Sequence, residues 1–149
     1  MGANVQSLFI GFVGGVAAWF FTEFVTQPLR RFVDLRREVT RCLVVYGNVS
    51  ARLGRAKSGE LTRLDLAPEE DARLVEAQNA FRDLAGKMRG FAHVDHIASW
   101  LVSWRGYKAD GIASALIAYS NEITTFGEGR AQSHDRVQKL LRIRSESGA

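Results

Sequence analysis

Cysteine occurs once, at Cys42, and proline twice, at Pro28 and Pro68. A single cysteine excludes an intramolecular disulfide framework. Scarce proline leaves room for long unbroken helices, because proline is the residue a helix interior tolerates least. Basic residues are missing from the beginning of the chain: none stands before Arg30, and the only charged side chain from Met1 to Gln27 is Glu23. Clean strand-like alternation of apolar and polar residues is also hard to find. These absences together point to an all-α chain that begins with a segment unsuited to water.

What fills that segment is apolar. Leu8 to Phe21 carries no polar side chain. Taken from Val5 to Val25, a helix of about 21 residues at ~1.5 Å per residue matches the ~30 Å hydrocarbon core of a bilayer. Trp19, Phe20, Phe21 and Phe24 gather at its far end, where aromatic rings suit a headgroup boundary. A buried core helix of a soluble protein is one rival reading, and a cleavable signal peptide is the other. A signal peptide requires a basic start and a small-residue cleavage site. The apolar run here is followed instead by Phe-Thr-Glu-Phe-Val-Thr-Gln-Pro. Residues 1–27 are therefore expected to form a transmembrane helix, and residues 28–144 a helical domain. Arg30, Arg31, Arg36, Arg37 and Arg41 follow the span and none precedes it. The positive-inside rule then places the N-terminus outside and the domain in the cytoplasm, on a bacterial-type inner membrane. Arg30, Arg31, Arg36 and Arg37 are the candidates for lipid headgroups. They account for much of the formal net charge of +4 without nucleic acid.

Two features inside the span stand out. Gly11 and Gly15 make a G-x-x-x-G pair, and Gly14 with Ala18 repeats the spacing. Small residues four apart let helix backbones approach closely in lipid. Glu23 is the one ionisable group, and such groups in membrane segments are candidates for function. Its plainer reading is an interfacial residue in a polar stripe with Thr22, Thr26 and Gln27.

After Pro28 the apolar spacing predicts a long helix to about Lys57. Phe32, Val39, Tyr46 and Leu53 are seven apart, as are Leu35, Cys42, Val49 and Ala56. Arg36 falls inside this apolar sector and reads as a snorkelling arginine. Ser58-Gly59-Glu60 breaks the pattern, and the stretch to Ala67 reads as a loop in which Leu61, Leu64 and Leu66 pack down. Pro68-Glu69-Glu70-Asp71 opens a second long helix, its acids facing the positive end of the helix dipole. Leu74, Phe81 and Met88 form one series on it, and Ala77, Leu84 and Phe91 a second. Two seams on neighbouring helices imply an antiparallel hairpin, or a seam that meets its copy on another chain. Shorter helices follow: one capped by Asp95 and ended by Arg105-Gly106-Tyr107-Lys108, one over 109–125 with Ile112, Ala115, Leu116, Tyr119 and Ile123 in phase, and a basic one over 130–144 with Val137, Leu140 and Leu141. Gly127-Glu128-Gly129 is read as the break before the last of these. Residues 145–149 are expected to be a disordered tail.

No chemistry stands out. Gly54 to Gly59 lacks the order of a phosphate-binding loop, and Gly127-Glu128-Gly129 lacks the third glycine of a dinucleotide fold. His93, Asp95 and His96 lie close together, but no cysteine or H-E-x-x-H motif supports a metal site. Cys42 sits on the apolar seam, and no serine occupies a nucleophile elbow. The expectation is a non-enzyme with no catalytic, cofactor or metal residues and no small-molecule or nucleic-acid ligand. Trp100, Trp104, Arg105, Tyr107 and Lys108 form the most suggestive cluster; Trp100 and Trp104 are expected to complete the bundle core, with a membrane interface or a partner as the alternatives. The functional expectation is a single-pass scaffold or adaptor that forms a homo-oligomer or docks on a larger membrane complex. A pore-forming effector with Glu23 near its mouth is the alternative, and a metalloprotein or enzyme the remote one.

Overall fold

A computed structural model describes residues 2–47, 49, 53–55, 61–63, 68–123 and 128–143. Nearly all of them are helical. The chain opens with α1 (Gly2–Phe21), passes through a single π-helical turn (Thr22–Thr26) and continues as α2 (Gln27–Tyr46) without a break. Pro28 explains the π turn. A proline ring collides with the carbonyl four residues earlier, and a wider turn makes room for it. Thr22 and Thr26 assist by donating their hydroxyls back to the Ala18 carbonyl at 2.9 Å and the Phe21 carbonyl at 3.5 Å. Leu8–Tyr46 is the one helix among the described residues long and apolar enough to cross a membrane, and none of its apolar window is buried within the chain.

The long helix ends at Tyr46, about three turns before the expected Lys57. Heptad spacing continues past the end of the helix, whose C-cap is Gly47, itself still in the helical region at φ −57° and ψ −32°. Arg130 Nη2 donates to the Gly47 carbonyl at 2.7 Å, and the Val49 amide to that of Tyr46 at 3.1 Å. Beyond it a short antiparallel ladder pairs β1 (Leu53–Arg55) with β2 (Leu61–Arg63), in the register Leu53↔Arg63 and Arg55↔Leu61. Strand pairing replaces part of the expected helix and loop there. Ala56, Lys57, Ser58-Gly59-Glu60, Leu64, Leu66, Arg144 and the tail at 145–149 lie outside the described residues.

Four more helices follow: α3 (Pro68–Val94), α4 (His96–Trp104), α5 (Ala109–Glu122) and α6 (Glu128–Leu141). Glu128 and Gly129 lie inside α6 rather than before it, and Gly127, with residues 124–126, lies outside the described residues. Asp95 stands at the N-cap position of α4 but makes no side-chain cap; its carboxylate faces Arg31 at 3.5 Å instead.

Leu74, Ala77, Phe81, Leu84, Met88 and Phe91 of α3 are all buried, joined by Ala85. From α2 come Phe32, Leu35, Val39 and Leu43, and from α5 Ile112, Ala115, Leu116 and Tyr119. Ala109 and Ala113 of α5 are buried as well, and α3 and α5 make the most extensive helix contact in the domain. Val137 and Leu141 of α6 close the core. Side-chain partners of α2 and α3 run in opposite senses. Tyr46 donates to Glu76 at 3.0 Å, Lys87 Nζ lies 3.4 Å from Glu38, and Phe32 packs on Phe91 with centroids 5.3 Å apart. The end of α3 therefore comes down beside the start of α2, at the end of the domain from which the apolar helix leaves.

Candidate functional site

The sequence-derived candidates converge on this end of the domain, around the π turn, the first turns of α2 and the crossing helix α4. Gly11, Gly14 and Gly15 lie on α1, where an added Cβ would meet nothing within 4 Å. Packing inside the chain does not demand glycine there, so whatever contacts α1 comes from outside the fold. Glu23 lies in the π turn, exposed, and accepts a hydrogen bond from Gln27 Nε2 at 2.8 Å. Trp19 and Phe20 pack against Phe24, with centroids 6.2 and 4.6 Å apart.

The four arginines expected at lipid headgroups divide. Arg30, Arg31 and Arg37 are exposed, Arg31 reaching Asp95 and Arg37 lying 3.6 Å from Asp34. Arg36 turns to the domain. Its Nε donates to the Leu141 carbonyl at 3.0 Å and its Nη2 to that of Arg142 at 3.5 Å. Those carbonyls end α6, so Arg36 satisfies acceptors the helix leaves open and puts positive charge at its negative end. With Arg130 on Gly47, two arginines join α2 and α6 at opposite ends.

Tyr107 is the hub of this junction. Its ring lies edge-on to Phe32 at 5.4 Å, and the guanidinium carbons of Arg36 and Arg142 each stand 5.4 Å from its centroid. Cations over an aromatic ring are attracted by its quadrupole. Gly106 makes the approach possible. It has φ +85°, and a Cβ there would run into the Arg142 guanidinium. Arg142 itself holds φ +50° as it leaves α6.

The tryptophan cluster therefore splits. Tyr107 is drawn inward, whereas Trp100 is 66% exposed and Trp104 79%, with Arg105 and Lys108 also outside. The expected core placement of Trp100 and Trp104 does not occur, because Ala98 and Val102 are the residues α4 buries. Sequence reasoning missed Phe32 and Arg142 as partners of Tyr107. Arg36, a charge within an apolar sector, was the one visible sign that something polar lay opposite.

Titratable groups elsewhere have local explanations. Burial, with the neighbouring Glu38, raises the Cys42 thiol above its ordinary pKa and keeps it protonated. The hydrogen bond to Glu76 raises the Tyr46 hydroxyl. His93 lies 4.0 Å from Asp110, which also pairs with Arg89 at 3.4 Å, and no group of three His, Cys, Asp or Glu side chains converges among the described residues.

Compared with models of known families, with curated proteins and with solved structures, the chain matches none.

Proposed function

We propose that this chain is a single-pass membrane-anchored adaptor: α1 crosses the bilayer, the helical domain lies on the cytoplasmic side, and copies self-assemble or dock on a larger inner-membrane complex. One observation carries the reading. The whole apolar stretch stands clear of the fold, with Leu8 74%, Phe9 68% and Phe12 71% exposed. The core helix of a soluble protein would be covered by its own chain, and monomers in water rarely expose a contiguous apolar surface of that size. Lipid supplies the missing cover, and the arginines after it set the orientation.

Docking draws support from α2. While Phe32, Leu35, Val39 and Leu43 face the core, Val33, Val44 and Val45 stay exposed, and a shallow groove runs from the π turn onto α2, its apolar side Phe21, Val25, Leu29 and Val33 and its polar side Thr26, Arg30, Asp34 and Arg37. A polar helix face would have served a solitary domain better. The reading assigns no catalysis.

The test is extraction followed by native mass spectrometry. The protein is expected to resist alkaline carbonate and to leave the membrane in mild detergent as a homo-oligomer or in fixed ratio with other subunits. Release by carbonate overturns the anchor, and a bare monomer under gentle extraction overturns the adaptor. A ring of copies that depolarises cells, and stops doing so with Glu23→Leu, would replace it with a pore.

A further inference from the structure

We infer that α4 is a second membrane contact, a short helix lying in the plane of the headgroups with Trp100 and Trp104 inserted beside the anchor. The inference rests on the reading of α1 as a transmembrane helix and says where the domain then sits.

The first argument is height. Asp95, just before α4, pairs with Arg31, and Tyr107, just after it, packs on Phe32. Both ends of α4 are therefore held at neighbouring residues of α2, so the helix crosses α2 rather than running along it. Between those ends α4 packs against the π turn at Thr22–Thr26. Arg31 lies about six residues past Val25, roughly 9 Å along the helix axis. The polar zone of each leaflet is about 5–7 Å deep, and interfacial helices bury their apolar face about 5–10 Å at the headgroup boundary. A crossbar resting on the π turn is within that range.

Direction is the second argument. Ala98 and Val102 face the bundle. Trp100 stands two residues from each, about 200° round the helix, and Trp104 two residues beyond Val102. Both indoles thus lie on the side of α4 opposite the domain core. Because α3 comes down to α4 and α5 leaves from it, the core is on the cytoplasmic side and the indoles point the other way. Ile97, 45% exposed, and Val94, 72% exposed, extend the same apolar surface.

Composition is the third. Tryptophan is the residue most suited to the interface, with an apolar body and one N–H to satisfy. Arg105 and Lys108 follow the end of the helix, and Arg30 and Arg37 are exposed on α2. That basic fringe complements anionic headgroups. A rigid domain held at α1 and at α4 cannot swivel freely about its anchor, so its remaining faces are presented to the cytoplasm at a set angle.

The chain's three tryptophans allow a direct test. Trp19→Phe leaves only Trp100 and Trp104 to fluoresce; Trp100→Phe with Trp104→Phe leaves only Trp19. Each full-length variant is reconstituted into phosphatidylethanolamine–phosphatidylglycerol vesicles, with nitroxide-labelled lipid as quencher in the bilayer and iodide in the water. The expected result is blue-shifted emission from Trp100 and Trp104, loss of most of it to nitroxide near the headgroups, and little loss to iodide. If Trp19 is quenched by lipid nitroxide while Trp100 and Trp104 respond to iodide alone, α4 is in water and the inference fails with the anchor intact. Blue-shifted indoles that neither quencher reaches would place α4 against a second copy and also overturn it. A Trp19 that no lipid quencher touches would overturn the anchor itself. Substitutions at such exposed indoles do not put folding at risk, and circular dichroism of each variant verifies it.

Discussion

Helices α4 and α5 follow one another, and the shorter α4 is the more apolar of the two. Yet α5 is swallowed by the domain, burying Ile112, Ala113, Ala115, Leu116 and Tyr119, whereas α4 buries Ala98 and Val102 and turns both its tryptophans out. Hydrophobicity alone therefore does not decide which helix goes inside. Bulky Ile112, Leu116 and Tyr119 of α5 go inside with its alanines, while α4 offers the bundle Ala98 and Val102 and keeps its tryptophans outside. A domain that lived entirely in water would gain by the reverse arrangement.

The contrast predicts graded effects. The largest is expected for Leu116→Ala, fully buried on α5: the cavity should cost about 2–5 kcal/mol, read as a lowered midpoint of chemical unfolding in detergent. Arg36→Ala comes next. It leaves the last carbonyls of α6 and one face of Tyr107 without their partner and should cost about 1–2 kcal/mol, with most of the loss persisting in Arg36→Lys, since an ammonium does not reproduce the planar fork. Smallest is Trp104→Ala, which should change stability in detergent by no more than about 0.5 kcal/mol, as for an exposed surface side chain. An equal loss for Trp104→Ala and Leu116→Ala would erase the distinction between the two helices.

Much of this was legible in the chain. The two series on α3, Leu74–Phe81–Met88 and Ala77–Leu84–Phe91, are buried because 3.6-residue periodicity is imposed by the same contacts that bury it. The phase of α4 was equally clear, with Ile97, Trp100, Leu101 and Trp104 in line, but its sense was not. A stripe that faces a core and one that faces lipid are written in the same residues, and only the neighbours decide. The end of α2 was misread for a related reason: apolar spacing through Leu53 persisted beyond Gly47, and three-residue strands are too short to announce themselves by alternation. Arg36 and Tyr107 are 71 positions apart in the numbering, and periodicity within a helix says nothing about such a meeting.

The π turn between α1 and α2 has a torsional consequence. It holds about one residue more than an α turn, so everything after it is rotated back by roughly 60–100° relative to an unbroken ladder. Counted along a continuous α-helix, Val33 and Val44 would stand about 60–80° round from Ala18. The π turn takes back about that much, which brings the bare side of α2 into line with the small-residue edge of α1. It works as a collar that sets the angular alignment of one shaft upon another. Removing a single residue from it would leave each half folded and turn one against the other.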